Sequence, residues 1–360
     1  MPRRPRQGSD RPTVWRCTMP NLRPRPRRCR PSLPHSLAAA ALALTAAASG
    51  GASALANDID FPTWLRGLRQ DALTSGIRPS TLDRALAGVH PIPKVLELDR
   101  RQPEKTITFA QYVDRVVNDA RIDGARRRLE ANRKLLQEIG AKYGVQPRFI
   151  VALWGIETDF GSQTGGFPVV SSLATLAYDG RRSDFFRGEL INALKIVDQG
   201  HVAPSAMTGS WAGAMGQSQF MPSSFLSYAV DWNGDGRRDI WTTRADVFAS
   251  IANYLSTVGW HADQTWGREV ALPPGFDAGS LARLDVRKPL AEWRSLGVRR
   301  TDGGELPMRT DLEASIVLPG GPGSSPALLV YDNYRTIMNW NRSLYFASAV
   351  GYLADSMEEQ

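Results

Sequence analysis

Glu157 is a carboxylate embedded in an otherwise apolar helical run, Val151-Ala-Leu-Trp-Gly-Ile-Glu-Thr-Asp-Phe-Gly161. Pro147 suits the first helical position, where its missing N–H costs nothing. From there Ile150, Leu153 or Trp154, and Glu157 recur at helical spacing on one face. That face points inward and carries a carboxyl group, so the group is either neutralised by a partner or raised in pKa by desolvation. A raised carboxyl suits a general acid near neutral pH. The alternative is a structural strut, a glutamate paired to an arginine. The helix alone leaves both readings open.

The polar residues grouped with Glu157 in the sequence are Arg181, Arg182, Ser210 and Gln219. Asp159 lies two residues on and faces nearly the opposite way. Most glycosidases need two carboxylates across the scissile bond. No second one stands out, although folding can still bring in Asp179, Asp184 or Glu189. Trp154, Phe160, Phe220, Tyr254 and Trp340 lie near polar motif residues, and aromatic planes can stack on the C–H faces of sugar rings. Each alone reads first as core. Tyr254 is the best exception, because a buried phenol needs a hydrogen-bond partner.

A separate constellation is Asp231-Trp-Asn233-Gly-Asp235-Gly236-Arg-Arg-Asp239, which matches the first half of an EF-hand loop. Oxygen ligands at positions 1, 3 and 5, with a sharp-turn glycine at 6, suit a hard cation such as calcium. The expected ligands are Asp231, Asn233, Asp235, the Arg237 backbone carbonyl and Asp239. Thr242 occupies the position of the usual bidentate glutamate, and Asp246 is expected to close the site instead. The competing reading is a plain Asx-rich turn. His90, His201 and His261 lack metal-ligand spacing, and there is no nucleophile elbow, P-loop or dinucleotide fingerprint. No cofactor is expected for catalysis.

These residues need elements to hold them. The pattern is helical from Phe61 to about Tyr143, with Phe61, Trp64, Leu65 and Leu68 on one face. Ser80 and Asp83 resemble a capping box before a short helix, and Gly124 and Arg126-Arg127-Arg128 fall in a charged, solvated helix continuing to Tyr143. Helices are expected at Val169–Tyr178, at Asp184–Val197 capped by Ser183, and at Asp246–Val258. Trp211-Ala-Gly-Ala-Met-Gly216 reads as a tight loop approached closely by another surface or a ligand. Glu269–Leu272, Leu312–Leu318 and Ala327–Tyr331 are β-prone, the last two joined as a hairpin, and Tyr334–Met357 returns to one helix. The fold class is mainly α (α+β). Its divisions are an N-terminal helical region 57–144, a core 145–266 containing the loop 231–246, a small β-containing subdomain 267–333, and a C-terminal helix 334–360.

Residues 1–56 read as a basic leader and signal peptide, with an apolar run from Leu37 to about Ala48 and cleavage after Ala56. Met19 would give a more ordinary start. The leader holds ten of the 44 basic residues and one of the 36 acidic ones, so the remaining 304 residues carry a formal net charge of −1. The basic balance therefore belongs to export, and nucleic-acid binding is not expected. Both cysteines, Cys17 and Cys29, also lie in the leader, so no disulfide or thiolate metal site is expected in the mature chain. No transmembrane segment is expected there either.

Leu153-Trp-Gly-Ile-Glu-Thr-Asp-Phe-Gly161, Gly213-Ala-Met-Gly216, Gln219-Phe-Met-Pro-Ser-Ser224, the Asp231 loop, Ile337-Met-Asn-Trp-Asn341 and Tyr345 occur in an order and spacing that resemble the lytic murein transglycosylase B family. The resemblance spans essentially all of 57–360. It implies a lysozyme-like helical core and non-hydrolytic cleavage of the MurNAc-β-1,4-GlcNAc bond of peptidoglycan, leaving 1,6-anhydroMurNAc. Glu157 matches the catalytic residue, acting as acid and then base, while the substrate's acetamido group replaces a second carboxylate. Ser210, Gln219, Tyr254 and Asn341 would line the glycan groove, and Arg181 and Arg182 would meet the peptide or lactyl carboxylate. Trp340, also placed in the groove, stands where some members carry tyrosine, which makes hydrogen bonding there an open point. The resemblance further implies periplasmic location, glycan strands as partner, and cell-wall synthases as candidate protein partners. A lysozyme-like muramidase and a non-catalytic glycan-binding scaffold are the rival readings.

Overall fold

Proline opens several helices, among them Phe61–Thr74, Pro79–Ala85, Pro147–Thr158 and Pro222–Tyr228, because its ring presets φ and its absent N–H is not needed in the first turn. The computed structural model describes residues 59–100, 107–324 and 326–358. The leader 1–56 and its cleavage site after Ala56 lie outside the described residues. Among the described residues no helix is long and apolar enough to cross a membrane.

The first helix buries Trp64, Leu68 and Ala72, a stripe at four-residue intervals. Two local expectations fail here. Ser80 lies inside the Pro79–Ala85 helix, whose N-cap is Arg78 without a side-chain cap, and Asp83 pairs with Arg69 at 2.7 Å. Proline at N1 already starts that helix, so no capping box forms. The expected charged helix up to Tyr143 is two, Asp119–Ala131 and Arg133–Tyr143, broken at Asn132, whose Nδ2 donates to the Arg128 carbonyl at 2.7 Å. Nor is its basic run wholly solvated: Arg128 lies 4.2 Å from the centre of the Phe160 ring.

Pro147–Thr158 occupies the middle of the fold. It packs against Leu344–Asp355, Asp119–Ala131, Arg133–Tyr143 and Arg244–Thr257. Phe149, Ile150, Val151 and Leu153 are fully buried, each contributing roughly 2 kcal/mol by area. Its N-cap, Gln146, makes no side-chain cap. Burial on every side, rather than capping, holds this helix.

Val169–Tyr178 and Ser183–Asp198 pack against each other as a helical hairpin. Ser183 is the first helical residue rather than the cap; Arg182, at φ 63°, takes the cap position. Arg244–Thr257 starts two residues before the expected Asp246.

The β region forms one five-stranded antiparallel sheet. Its order is Lys288–Pro289, Glu313–Val317, Ala327–Val330, Gly267–Ala271, Arg299–Arg300. The hairpin pairs Ser315 with Val330, Ile316 with Leu329 and Val317 with Leu328. Leu328 and Val330 enter the main helical core, while Ala327 and Leu329 enter a second cluster with Trp293 and Val298. Alternating side chains thus bury both faces of the Ala327–Val330 strand, which is why it reads as a continuous apolar run.

The C-terminal region is two helices, Asp332–Trp340 and Leu344–Asp355, where one was expected. Asn341 is extended, at φ −145° and ψ 120°, and Ser343 caps the second helix by accepting from the Phe346 N–H. The break falls directly after Trp340, which meets the central helix at Glu157.

Candidate active site

Glu157 is 7 % exposed. Its Oε1 accepts one hydrogen bond, from the Trp340 indole Nε1 at 2.8 Å. Burial pushes the carboxyl up to about 8, against the opposing pull of the Trp340 hydrogen bond. No ion pair joins Glu157 to an arginine or lysine among the described residues, so the strut reading has no structural counterpart. The group is a neutral acid at pH 7, held by an uncharged donor. Asp159 behaves as expected from its position: it leaves the helix in the left-handed region, at φ 49°, and pairs with Arg121 at 3.3 Å.

The glycine loop lies close by in the fold. Gly213, at φ 90°, leaves no room for a side chain, since a Cβ there would stand 2.4 Å from Leu173 Cδ2. Bridges join Gly209 to Met215 and Met215 to Phe220, drawing the loop into a tight double bend. Ser210 Oγ accepts from the Ala214 N–H at 3.1 Å, which leaves its own proton free to donate. Gln219, at φ 50°, donates through Nε2 to the carbonyls of Thr164 and Gly216 at 3.1 and 2.8 Å. These bonds fix its amide orientation and leave Oε1 as an acceptor. Asn341 Oδ1 accepts from the Ser343 N–H at 3.2 Å, leaving Nδ2 as a donor. Ser210, Gln219 and Asn341 are each buried to a similar extent as Glu157.

Trp340 joins Glu157 to an aromatic cluster. Its ring packs 5.2 Å from Phe220 and 4.7 Å from Tyr254. Tyr254 is also 4.6 Å from Tyr228. Burial, with the neighbouring Tyr228, raises the Tyr254 phenol well above its ordinary value, so it stays protonated. The structure therefore brings Glu157, Trp340, Tyr254 and Phe220 into one cluster. Trp154 and Phe160 belong instead to the packing behind the helix, at 5.5 Å from each other.

Arg181 and Arg182 have an internal partner. Both close on Asp99, 2 % exposed, at 2.6 and 2.7 Å. Sequence reasoning missed Asp99, because nothing local marks an aspartate 82 residues upstream as their counter-ion. The three alternative carboxylates are also accounted for separately. Asp179 pairs with Arg100 at 3.1 Å, Asp184 sits in the first turn of its helix, and Glu189 accepts from the Ser223 N–H and Oγ at 2.9 and 2.6 Å. None of these is bonded to Glu157.

Gln217 is the other residue that sequence reasoning missed. Its Oε1 accepts from Trp154 Nε1 and its Nε2 donates to the Trp241 carbonyl, both at 2.8 Å. Its backbone carbonyl accepts from Thr158 Oγ1 at 2.9 Å. It braces the turn carrying Glu157 against the end of the 231–246 loop. Only its adjacency to Gly213-Ala-Met-Gly216 could have drawn attention to it.

In that loop Asp231 accepts from the backbone N–H groups of Gly234, Asp235 and Gly236, and Asn233 and Asp235 bond to each other. Gly236 takes φ 87° at the sharp turn. Asp239 accepts from the N–H groups of Trp241 and Thr242, and Asp246 from those of Trp232 and Asp239. Among the described residues no cluster of three or more His, Cys, Asp or Glu side chains forms a ready metal cage. The donor chemistry nonetheless fits a hard cation. Asp246 is raised chiefly by burial, with the nearby carboxylates of Asp231 and Asp235 adding to the rise, so acidic side chains gather at this loop.

Comparison with known proteins agrees with this geometry. Residues 60–355 match the transglycosylase SLT domain family. The chain is 34 % identical over 227 residues to membrane-bound lytic murein transglycosylase B of Escherichia coli, an alignment covering 60 % of this chain and 58 % of that protein. It superposes on SltB3 of Pseudomonas aeruginosa, solved with NAG-anhNAM-pentapeptide, with TM-score 0.80 and 48 % identity over 83 % of this chain and 79 % of that one. It also superposes on Slt35 of Escherichia coli, solved with calcium, with TM-score 0.71 and 26 % identity over 83 % and 93 %. A buried acid in a central helix, framed by a glycine loop and an aromatic cluster, thus sits in a chain that belongs to the transglycosylase SLT domain family, the family of the lytic murein transglycosylase B proteins.

Proposed function

We propose that the protein is an exported lytic transglycosylase. It cleaves the MurNAc-β-1,4-GlcNAc bond of peptidoglycan strands and closes a 1,6-anhydro ring on the muramyl residue. The observation that carries this reading is the neutral, desolvated Glu157 with Trp340 as its hydrogen-bond partner. A neutral carboxyl can donate its proton to the glycosidic oxygen as the C1–O bond breaks. The muramyl acetamido group then stabilises the cationic C1. The resulting carboxylate takes the C6 hydroxyl proton as that oxygen attacks C1. One group, used twice, performs both transfers, and none of the alternative carboxylates is bonded to it.

Ser210, Gln219, Tyr254, Trp340 and Asn341 are assigned to the glycan groove. Ser210 and Asn341 supply donors and Gln219 a carbonyl, a set suited to hydroxyl and acetamido groups. Arg181 and Arg182 are assigned to the peptide or lactyl carboxylate. Arg181, half-exposed beyond its bond to Asp99, has donors left for that purpose. The loop 231–246 would hold a structural Ca2+ or Na+ through Asp231, Asn233, Asp235, the Arg237 carbonyl, Asp239 and Asp246, a role apart from the chemistry. The proposed organisation is a leader ending at Ala56, a helical region 57–144, a catalytic core 145–266, a β subdomain 267–333 and a returning segment 334–360. Location would be periplasmic, with cell-wall synthases as candidate partners.

The test is mass spectrometry of muropeptides released from sacculi by residues 57–360. Anhydro ends, lighter by one water and lacking a reducing end, support the proposal. Hydrated ends would make the protein a muramidase, and binding without release would make it a scaffold.

A further inference from the structure

The contact between Trp340 and Glu157 has a chemical direction. An indole N–H can only donate, so the oxygen it reaches must serve as acceptor in both protonation states of the acid. That oxygen is Oε1, at 2.8 Å. The indole cannot swing away without unpacking its contacts with Phe220 and Tyr254. Its backbone is set by the end of the Asp332–Trp340 helix, and Asn341 turns the chain immediately after it.

We propose that Trp340 is a positioning residue for the acid: its N–H claims Oε1 and confines the transferable proton to Oε2. Resting on the lytic reading above, this makes Oε2 the atom that faces the glycosidic oxygen. The Oε2–H bond breaks as the leaving oxygen gains the proton, and the C1–O electron pair goes to that oxygen. The charge left on the carboxylate strengthens the indole bond, because hydrogen bonds to ionised acceptors are roughly twice as strong as neutral ones. Trp340 therefore stabilises the state after proton transfer more than the state before it, which is the condition for lowering a barrier.

Among the described residues, several other charged or titratable groups have partners elsewhere. Arg128 and Arg244 lie over Trp154, Arg121 pairs with Asp159, and Arg148 pairs with Asp355 and Glu358. Lys142 lies over Trp232, Tyr352 donates to Glu269, Arg335 reaches the Leu284 carbonyl and Ser315, and Tyr254 stays neutral. None is hydrogen-bonded to Glu157. The Trp340 N–H is the contact that sets its acidity against burial.

The experiment compares wild type with Trp340→Phe and with benzothienylalanine at position 340, which keeps the bicyclic shape and lacks the N–H. Glu157 is titrated directly by 13C NMR of labelled glutamate, assigned by difference from Glu157→Gln. The pH profile of kcat/KM is measured on a soluble glycan strand. Both variants should raise the Glu157 midpoint and the alkaline limb by about one pH unit and lower kcat about tenfold. An unmoved midpoint in the benzothienyl variant overturns the proposal, even if Trp340→Phe loses activity through packing. The lytic reading fails separately: wild type would release no anhydro product while the titration shift persisted.

Discussion

Replacing Glu157 by glutamine should abolish turnover and make the protein more stable, by an amount that grows with pH. The folded carboxyl ionises near 8, whereas its ordinary value is 4.5. Between these values the unfolded chain has released the proton and the folded one still holds it. Stability therefore falls as pH rises, by about 1.4 kcal/mol per unit. The decline begins near pH 4.5, is complete once the folded group has ionised above pH 8, and amounts to about 5 kcal/mol in total. Glutamine has nearly the same shape, still accepts from the Trp340 indole, and does not titrate. Calorimetry of wild type and Glu157→Gln from pH 4 to pH 9 should show coincident melting at the acid end and a widening gap above it. A chain of this size melts roughly 1.5 °C higher per kcal/mol, so the gap should reach about 7 °C by pH 8. Parallel melting curves across that range would refute the claim that Glu157 is a desolvated acid. Equal activity of the two proteins would refute its catalytic role.

Three further outcomes follow from particular contacts. Millimolar calcium should raise the melting temperature of wild type and leave Asp231→Asn/Asp235→Asn unmoved; calorimetry with and without chelator measures it, and identical wild-type curves would remove the cation from loop 231–246. Gly213→Ala puts a Cβ 2.4 Å from Leu173 Cδ2 at a positive φ, and should cost about 2–3 kcal/mol in urea denaturation while lowering activity. Asp99→Ala removes two charge-assisted hydrogen bonds from the partly exposed Arg181 and Arg182; a loss of about 1–2 kcal/mol is expected, and an unchanged denaturation midpoint would show that these bonds add nothing to stability.

Much of the architecture is local and legible in the sequence. The Pro147–Thr158 helix, the Val169–Tyr178 helix and the Glu313–Val317/Ala327–Val330 hairpin follow from proline placement, apolar periodicity and turn residues, all read over a few consecutive positions. Where local signals competed, they misled. Ser80 and Ser183 look like caps, but Arg78 and Arg182 stand at those boundaries. The segment 334–357 has unbroken helical periodicity, yet the chain extends at Asn341. Ser343, the N-cap of the second helix, is the local mark of that break.

The sequence by itself determined that an acid lies on a buried helical face, that glycines shape the neighbouring loop and that carboxylate and amide side chains crowd a turn at 231–239. Tertiary structure decided what the acid meets. The indole that binds Glu157 lies 183 residues away, and the carboxylate that claims Arg181 and Arg182 comes from a helix with no motif of its own. Backbone geometry sets periodicity over a turn or two. Desolvation and hydrogen-bond partners are set instead by which distant segments pack together, and no spacing rule encodes them.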